Sequence, residues 1–284
     1  MKIGIVTSRL VPNLVDSEKY LLAELQQLGE VKVLIWNDKN VNWENYDVLI
    51  IRSIWDYYLE IAQFKKWLSY LKNTDVKVLN PISVIQQNYH KFYLKELLKN
   101  KLPIIPTYFL AREEQANFSW KNWLTNHNWE HIVLKPAVSA SAWHTYRLKG
   151  IAEITTFKFP VNTDWLIQPF IPEIATNGEV SLMFFNRKFS HAVLKKSKQG
   201  DFRVQKEYGG TVSFFEPDKN IVGIAERILQ HINGELLYCR VDGVLTENGF
   251  KIMEVELIEP ELFLLDAVVR NNFSNAIRQI LNAS

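Results

Sequence analysis

Between Tyr238 and Glu261 the chain reads as a β-hairpin with carboxylates gathered on one face, where like charges set opposite one another are destabilising unless something cationic neutralises them. Alternation along a strand puts Tyr238, Arg240 and Asp242 on one side and Leu237, Cys239 and Val241 on the other. Glu254 and Glu256 share a face in the same way, opposite Met253, Val255 and Leu257. The connection Glu247-Asn248-Gly249 suits a three-residue loop with Gly249 in the left-handed position, and that register sets Asp242 across from Glu254. Two readings compete. The acids are either the wet face of an edge hairpin, common in antiparallel sheets, or a divalent-metal site, since carboxylate oxygens with water and substrate phosphates are what Mg²⁺ takes as ligands. Asp242 in register, and the continuation Ile258-Glu259-Pro260-Glu261 that adds acid beside the same spot, favour a metal, Mg²⁺ or Mn²⁺, on Asp242, Glu254 and Glu256.

The start of the chain has a different rhythm. Lys2 to Thr7 is an apolar β run, Ser17 to Leu28 has helical spacing, Val31 to Ile35 and Val48 to Ile51 are strands, Leu59 to Leu71 is helical, and Val76 to Leu79 is a strand ending at Asn80-Pro81. Strands alternating with helices predict an α/β fold with a doubly wound parallel sheet, whose ligands sit beyond the strand C-termini. Arg9 follows the first strand and Arg52 the third. Either alone is as readily a surface residue; both at one mouth favour an anionic ligand. A helix over Ile82 to Leu98 and a break at Pro103 and Pro106 precede a smaller unit carrying the strand Ile132 to Pro136. Strand Glu179 to Phe185, a turn at Asn186-Arg187, strand Ser190 to Leu194, a helix over Ile221 to Ile232, the acidic hairpin and a helix over Phe263 to Leu281 complete the chain. The expected division is 1–102, 103–170 and 171–284.

With 284 residues, 47% hydrophobic and 23% charged, the chain can build a large core spread over two or three subdomains. Its single cysteine, Cys239, excludes an intrachain disulfide and a cysteine-based zinc site. Met1 to Val6 reads as a strand with no signal peptide, from which a cytoplasmic location is expected. No apolar run approaches the roughly 18 residues of a membrane span, and a net charge of +2 with dispersed lysines leaves no basic footprint for nucleic acid. Trp120, Trp123 and Trp129 of the middle unit are expected in its core.

Lys135 closes a strand and is followed by Pro136-Ala137-Val138-Ser139-Ala140-Ser141-Ala142-Trp143. Such a run of small side chains lets backbone N–H groups approach phosphate oxygens while the lysine supplies a point charge. An ordinary surface loop competes on equal terms, because the run lacks glycine. Upstream, Asn88-Tyr89-His90-Lys91 offers a second lysine. The apolar strand Trp165 to Ile171 exits through Pro169, so its last main-chain groups are not all consumed by a ladder and could read an adenine edge. Lys195-Lys196 and Asp201-Phe202-Arg203-Val204-Gln205 fall in a polar stretch ending at Gly209-Gly210, read by itself as a solvated loop.

Taken in order, a lysine-bearing helix, a strand with Lys-Pro and a small-residue loop, Gln168-Pro169-Phe170-Ile171-Pro172-Glu173, the Asp-Phe-Arg-Val-Gln stretch, Asp242 and Glu254-Val255-Glu256 resemble the ATP-grasp superfamily, in its glutathione-synthetase-like branch. The segments 201–205 and 254–264 are similar to those of the small ligases that form D-cycloserine from O-ureidoserine. The resemblance covers nearly the whole chain and implies a Rossmann-like N-terminal domain, a small α+β lid and a C-terminal α+β subdomain with an antiparallel sheet.

It also implies a chemistry. ATP would lie between the middle and C-terminal units, with Lys91 and Lys135 on its phosphates, Ser139 and Ser141 in the loop closing over them, Gln168, Phe170 and Ile171 at adenine, and Glu173 or Glu179 near the ribose. Asp242, Glu254 and Glu256 would carry Mg²⁺. Arg203, with Lys135, would serve catalysis by stabilising the acyl-phosphate, while Arg9, Arg52 and Glu259 would meet a small amino-acid-like substrate. The implied activity is ligation of a small-molecule carboxylate to an amine; an ATP-grasp kinase and a nucleotide-binding regulator without turnover are the alternatives, and dimers are common among relatives of this kind. Two departures, Glu256 where glutathione synthetases carry Asn and the glycine-free phosphate loop, weigh against glutathione as the product.

Overall fold

In the computed structural model, which describes residues 1–198 and 209–282, the N-terminal apolar runs pair in parallel. β1 (Lys2–Thr7), β2 (Glu30–Ile35), β3 (Val48–Ile51) and β4 (Lys77–Leu79) stand in the order β2-β1-β3-β4. Both faces are covered, which is why β1 and β3 read as nearly continuous aliphatic runs. Ile3, Ile5 and Ile50 pack with Leu21 and Leu25 and with Phe273 and Ile277 of the C-terminal helix Ala267–Asn282. Val6, Leu49 and Ile51 pack on the other side with Phe64, Trp67 and Leu68 of the helix Ile61–Leu71.

The central sheet is antiparallel: β5 (Tyr108–Leu110), β6 (His131–Pro136), β7 (Tyr146–Lys149) and β8 (Trp165–Pro169), in the order β5-β8-β6-β7. Ile132 and Leu134 of β6 point into an aromatic core with Trp120, Trp123 and Trp165. By alternation Val133 and Lys135 face the opposite way, beside Gln168, which is paired to Val133 across the ladder.

The C-terminal sheet, also antiparallel, comprises β9 (Glu179–Phe185), β10 (Lys188–Lys196), β11 (Thr211–Phe215), β12 (Tyr238–Thr246) and β13 (Gly249–Glu256), in the order β11-β10-β9-β12-β13. Asp242 does stand opposite Glu254, but by a different route from the one expected. The hairpin loop holds only Glu247 and Asn248, because Gly249, at φ +88°, already pairs with Thr246. A bulge between Asp242 and Gly243 then adds the missing residue on β13. Glycine suits this point: a Cβ on Gly243 would stand 2.6 Å from the Lys251 carbonyl oxygen. The bulge also turns Met253 to the side of Glu254 rather than away from it.

Nor is β13 an open edge. Ile252 N–H donates to Pro103 O at 2.8 Å and Ile105 N–H to Ile252 O at 3.0 Å, so the segment entering the central unit runs along its outer side. Among the described residues no helix is long and apolar enough to cross a membrane.

Candidate active site

A cavity of about 260 Å³ is lined by the central and C-terminal sheets, with Trp55 and Tyr57 reaching it from the N-terminal unit after β3. One end is apolar, walled by Ile105, Val133, Phe170, Ile171, Ile174 and Met253. Phe170 is fixed from behind by the Arg147 guanidinium, 3.4 Å from its ring centre. Gln168 lines this end with its amide donating to Thr107 Oγ1 at 2.8 Å. The main-chain groups after Pro169 are divided: the Phe170 N–H is taken by His131 O at 2.8 Å, whereas the Ile171 N–H has no partner among the described residues.

At the middle of the cavity sit two lysines from different elements. The helix expected over Ile82 to Leu98 is interrupted: it ends at Asn88, and His90 turns out of helical geometry with its ring accepting the Phe92 N–H. That break presents Lys91 to the small-residue loop. Its N–H donates to Ala137 O at 2.7 Å and its Nζ to Ser139 O at 2.5 Å, while Nζ also stands 3.1 Å from Glu254 Oε1. Lys135 arrives from β6. Burial pushes its ammonium below the ordinary lysine range, Glu254 opposes that and Lys91 reinforces it. The loop itself takes left-handed backbone at Ser141, Ala142 and His144 (φ +50°, +55° and +50°) without glycine. Its tip is tethered where the Trp143 ring lies 5.4 Å from that of Tyr58 in the N-terminal unit.

The far wall is acidic and densely paired. Arg240 Nε lies 3.0 and 3.1 Å from the two oxygens of Asp242, Nη2 stands 2.9 Å from Asp242 Oδ2, and Nη2 also reaches Glu256. Ser181 Oγ donates to Asp242, and Lys195 Nζ pairs with Glu179 and lies 3.6 Å from Asp242 Oδ1. Burial alone would raise the Asp242 carboxyl, yet Arg240 and Lys195 outweigh it and hold Asp242 down at about 2. Glu254 is lowered likewise, burial being outweighed by Lys91 and Lys135. Glu256 goes the other way: burial, only partly offset by Arg240 and reinforced by Asp242 and Glu254, pushes it up to about 7. Glu259 is raised well above the carboxylate range by burial and by Glu256.

Most of the residues expected at a site therefore line one cavity: Lys91, Lys135, Ser139, Ser141, Gln168, Phe170, Ile171, Glu179, Asp242, Glu254, Glu256 and Glu259. Three do not. Arg52 is 1% exposed and bound to Glu18 Oε1 at 2.6 Å and to Pro260 O at 2.6 Å, so it is a buried clamp between the N-terminal sheet and the 257–262 segment instead of a cavity-facing cation. Arg9 is exposed, 3.4 Å from Asn37 Oδ1, away from the cavity. Glu173 opens the short helix Glu173–Thr176 and leaves its place on the wall to Ile174. Arg203 lies outside the described residues.

The three expected metal ligands are near one another but do not converge on one point: among the described residues no group of three His, Cys, Asp or Glu side chains is gathered to hold a metal ion. Sequence reasoning missed Arg240 as a site residue, although it shares a strand face with Asp242, and Lys195, which stands opposite Glu179 in the ladder once β10 is extended past Leu194.

Residues 3–80 match the family model for the N-terminal domain of D-cycloserine synthetase DcsG. Over 247 residues, 82% of each chain, the sequence is 25% identical to the cycloserine biosynthesis protein DcsG of Streptomyces lavendulae. The crystal structure of D-cycloserine synthetase DcsG superposes with a TM-score of 0.83 at 20% identity, over 99% of this chain and 100% of that one. A RimK domain ATP-grasp protein from Sphaerobacter thermophilus gives 0.69 at 14% identity, over 98% and 100%. D-alanine–D-alanine ligase from Bacillus anthracis, complexed with ATP, gives 0.68 at 16% identity, over 99% and 96%.

Proposed function

We propose that this chain, which has the ATP-grasp fold, is an ATP-dependent ligase that joins a small-molecule carboxylate to an amine through an acyl-phosphate. The observation that carries the reading is Lys91, whose ammonium touches both the carbonyl of Ser139 in the loop and the carboxylate of Glu254 on the acidic hairpin. A phosphate chain seated there would have lysine charge on one side and metal-binding oxygens on the other.

The apolar end would take adenine, with the Ile171 N–H and the Gln168 side chain at its edge. Lys91, Lys135 and the loop at Ser139 and Ser141 would hold the phosphates, and Glu179 would lie toward the ribose. The donor set on the hairpin fits Mg²⁺: hard carboxylate oxygens, with the Glu254 and Glu256 side chains 28% and 26% exposed at the cavity wall and Asp242 deeper at 4%. Bound between those oxygens and the phosphates, the ion would neutralise charge on the transferring group. Arg240 and Lys195 hold Asp242 ionised, and Lys195 holds Glu179 in place although burial raises that carboxyl; Arg203 is assigned to the acyl-phosphate on its motif alone. Charge neutralisation is what such a transfer chiefly needs, which accounts for a wall made of lysines, arginine and carboxylates.

The test is ADP release from Mg·ATP across a panel of amino acids and their carboxylate derivatives, with hydroxylamine present. A ligase gives a hydroxamate from the trapped acyl-phosphate. Phosphate delivered to a hydroxyl would give a stable ester and no hydroxamate, making the protein a kinase, and nucleotide binding with no ADP release from any acceptor would make it a regulator.

A further inference from the structure

The helix break that brings Lys91 to the small-residue loop is fastened by one imidazole. His90 Nδ1 lies 3.3 Å from the Phe92 nitrogen, and His90 Nε2 lies 2.7 Å from Asp164 Oδ2. A backbone N–H can only donate, so Nδ1 is the acceptor there and the proton of the neutral ring is on Nε2, facing the carboxylate. Burial keeps this imidazole below its ordinary range, Asp164 opposing and Lys65 and Lys91 reinforcing, so the ring is neutral at pH 7. A residue needed only to cap the turn 91–93 could be Ser, Thr, Asn or Asp. The second nitrogen of histidine reaches further and ties that cap to the central unit.

Asp164, immediately before β8, is a junction. Its Oδ1 accepts the Arg112 N–H at 2.7 Å, just past β5, and its carbonyl accepts the Ala137 N–H at 2.8 Å, just past β6. Ala137 O takes the Lys91 N–H at 2.7 Å, and Lys91 Nζ donates to Ser139 O at 2.5 Å. The contacts close a circuit, from His90 to Asp164 to Ala137 to Lys91 and back to His90 through one peptide bond. The Phe92 ring closes its flank, 4.8 Å from the His90 ring and 5.3 Å from that of Phe109 in β5. Lys91 therefore cannot shift along the loop without parting a charge-assisted hydrogen bond or one of the backbone bonds that depend on it. Neither His90 nor Asp164 lines the cavity.

We infer that His90 and Asp164 are positioning residues for nucleotide binding: they hold the Lys91 ammonium at the root of the small-residue loop and act on the phosphates only through it. This rests on the nucleotide reading proposed above and adds to it the pair that sets the lysine in place.

Binding of a non-hydrolysable ATP analogue with Mg²⁺ is titrated on the full chain for wild type, H90A, H90F, H90N, K91A and the double variant H90A/K91A. H90A should bind roughly 5- to 30-fold more weakly, the worth of one or two hydrogen bonds. H90F, which keeps a ring against Phe92 but neither nitrogen, should be as weak, and H90N, which keeps an acceptor for the Phe92 N–H, should recover part of the loss. In the K91A background the same H90A change should alter affinity by less than about twofold, because residues that act as a unit are not additive. A merely structural role would leave the two losses additive. The inference is overturned if H90A or H90F binds within about twofold of wild type, or if H90A loses as much in the K91A background as alone. Should wild type bind no analogue, the nucleotide reading has failed. In that case, or where K91A binds too weakly to titrate, acylation of Lys91 by an amine-directed reagent in the free protein, followed by peptide mass spectrometry, decides the positioning role by itself. Labelling of Lys91 should be at least about fivefold faster in H90A and H90N than in wild type, with Lys135 unchanged; an equal rate, or a matching rise at Lys135, sinks it.

Discussion

Arg240→Ala should be among the most damaging single substitutions in the C-terminal sheet, and its cost should depend on pH in a definite direction. Arg240 is shared by Asp242, whose side chain is 4% exposed, and Glu256. Holding Asp242 at about 2 against an ordinary 3.8 stabilises the folded state by about 2 kcal/mol at neutral pH; with so little exposure, solvent screening removes little of it. Leaving the buried Asp242 and the half-buried Glu256 short of their partner adds to that, giving a total of about 3 to 5 kcal/mol. Because the Asp242 carboxyl is depressed, its contribution is complete above 3.8 and is lost as pH falls toward 2. Glu256 is raised to about 7, so its folded form is disfavoured as pH climbs from 4.5 through 7, and loss of Arg240 extends that penalty. Both effects make the gap between wild type and variant narrow in acid and wide at pH 7 to 8. Urea unfolding of both proteins at pH 3, 5, 7 and 8 measures it. A gap under about 1 kcal/mol at pH 7, or one that widens on acidification, would refute the assignment of Arg240 as the counter-charge of these two carboxylates.

Lys135→Ala should weaken binding of an ATP analogue by roughly 30-fold or more, the cost of removing one partner of a buried charge contact, and equilibrium dialysis reads it; unchanged binding would remove Lys135 from the phosphates. Trp143→Ala frees the loop tip from Tyr58, so the KM for ATP should rise by roughly 2- to 10-fold, the worth of an aromatic pair, with the melting temperature unmoved. Arg52→Ala leaves Glu18, 3% exposed, without its ion-pair partner and should cost about 3 to 5 kcal/mol of stability. Nucleotide-analogue affinity of the folded fraction should stay as it was, because Arg52 does not reach the cavity; a large selective loss of that affinity would restore it to the site.

Much of the fold was legible because it depends on local pattern. β1, β3 and β9 fall where apolar runs bounded by polar or turn residues place them. The Asp242–Glu254 pairing was legible too, although a loop one residue shorter and a bulge one residue longer cancelled to produce it. Met253 shows the part that did not cancel, since the bulge reverses its face. The helix break at His90 was hidden because it depends on Lys91 meeting Ala137 O, a contact 46 residues away in the chain. Arg52 was placed at the correct strand end and given the wrong neighbour. Glu18 comes to it from 34 residues upstream, and Pro260 from 208 downstream. Position at a sheet mouth follows from strand order, but whether a charge faces the cavity or the core is settled by tertiary partners that no local pattern announces.

The composition of the cavity can be set against the nucleotide proposed for it. Among the described residues six carboxylates and four cationic side chains line it, an odd balance for a site proposed to take a polyanion. The pairings resolve this. Lys91 is committed to Glu254, Lys195 to Glu179 and Asp242, and Arg240 to Asp242 and Glu256, whereas Glu259 has no ion pair of this kind among the described residues. Where neutralisation is incomplete the carboxyls rise, Glu256 to about 7 and Glu259 well beyond the carboxylate range. Glu179 is raised by burial as well, Lys195 offsetting it only in part; on the ligase proposal, Glu256 is where a divalent ion would bring positive charge with the phosphates. A nucleotide coming as its metal complex would let Lys91 exchange Glu254 for phosphate without stranding the carboxylate. On the ligase proposal, Lys91 and the hairpin acids that neutralise one another in the free protein would part on loading, the lysine to phosphate and the acids to the metal.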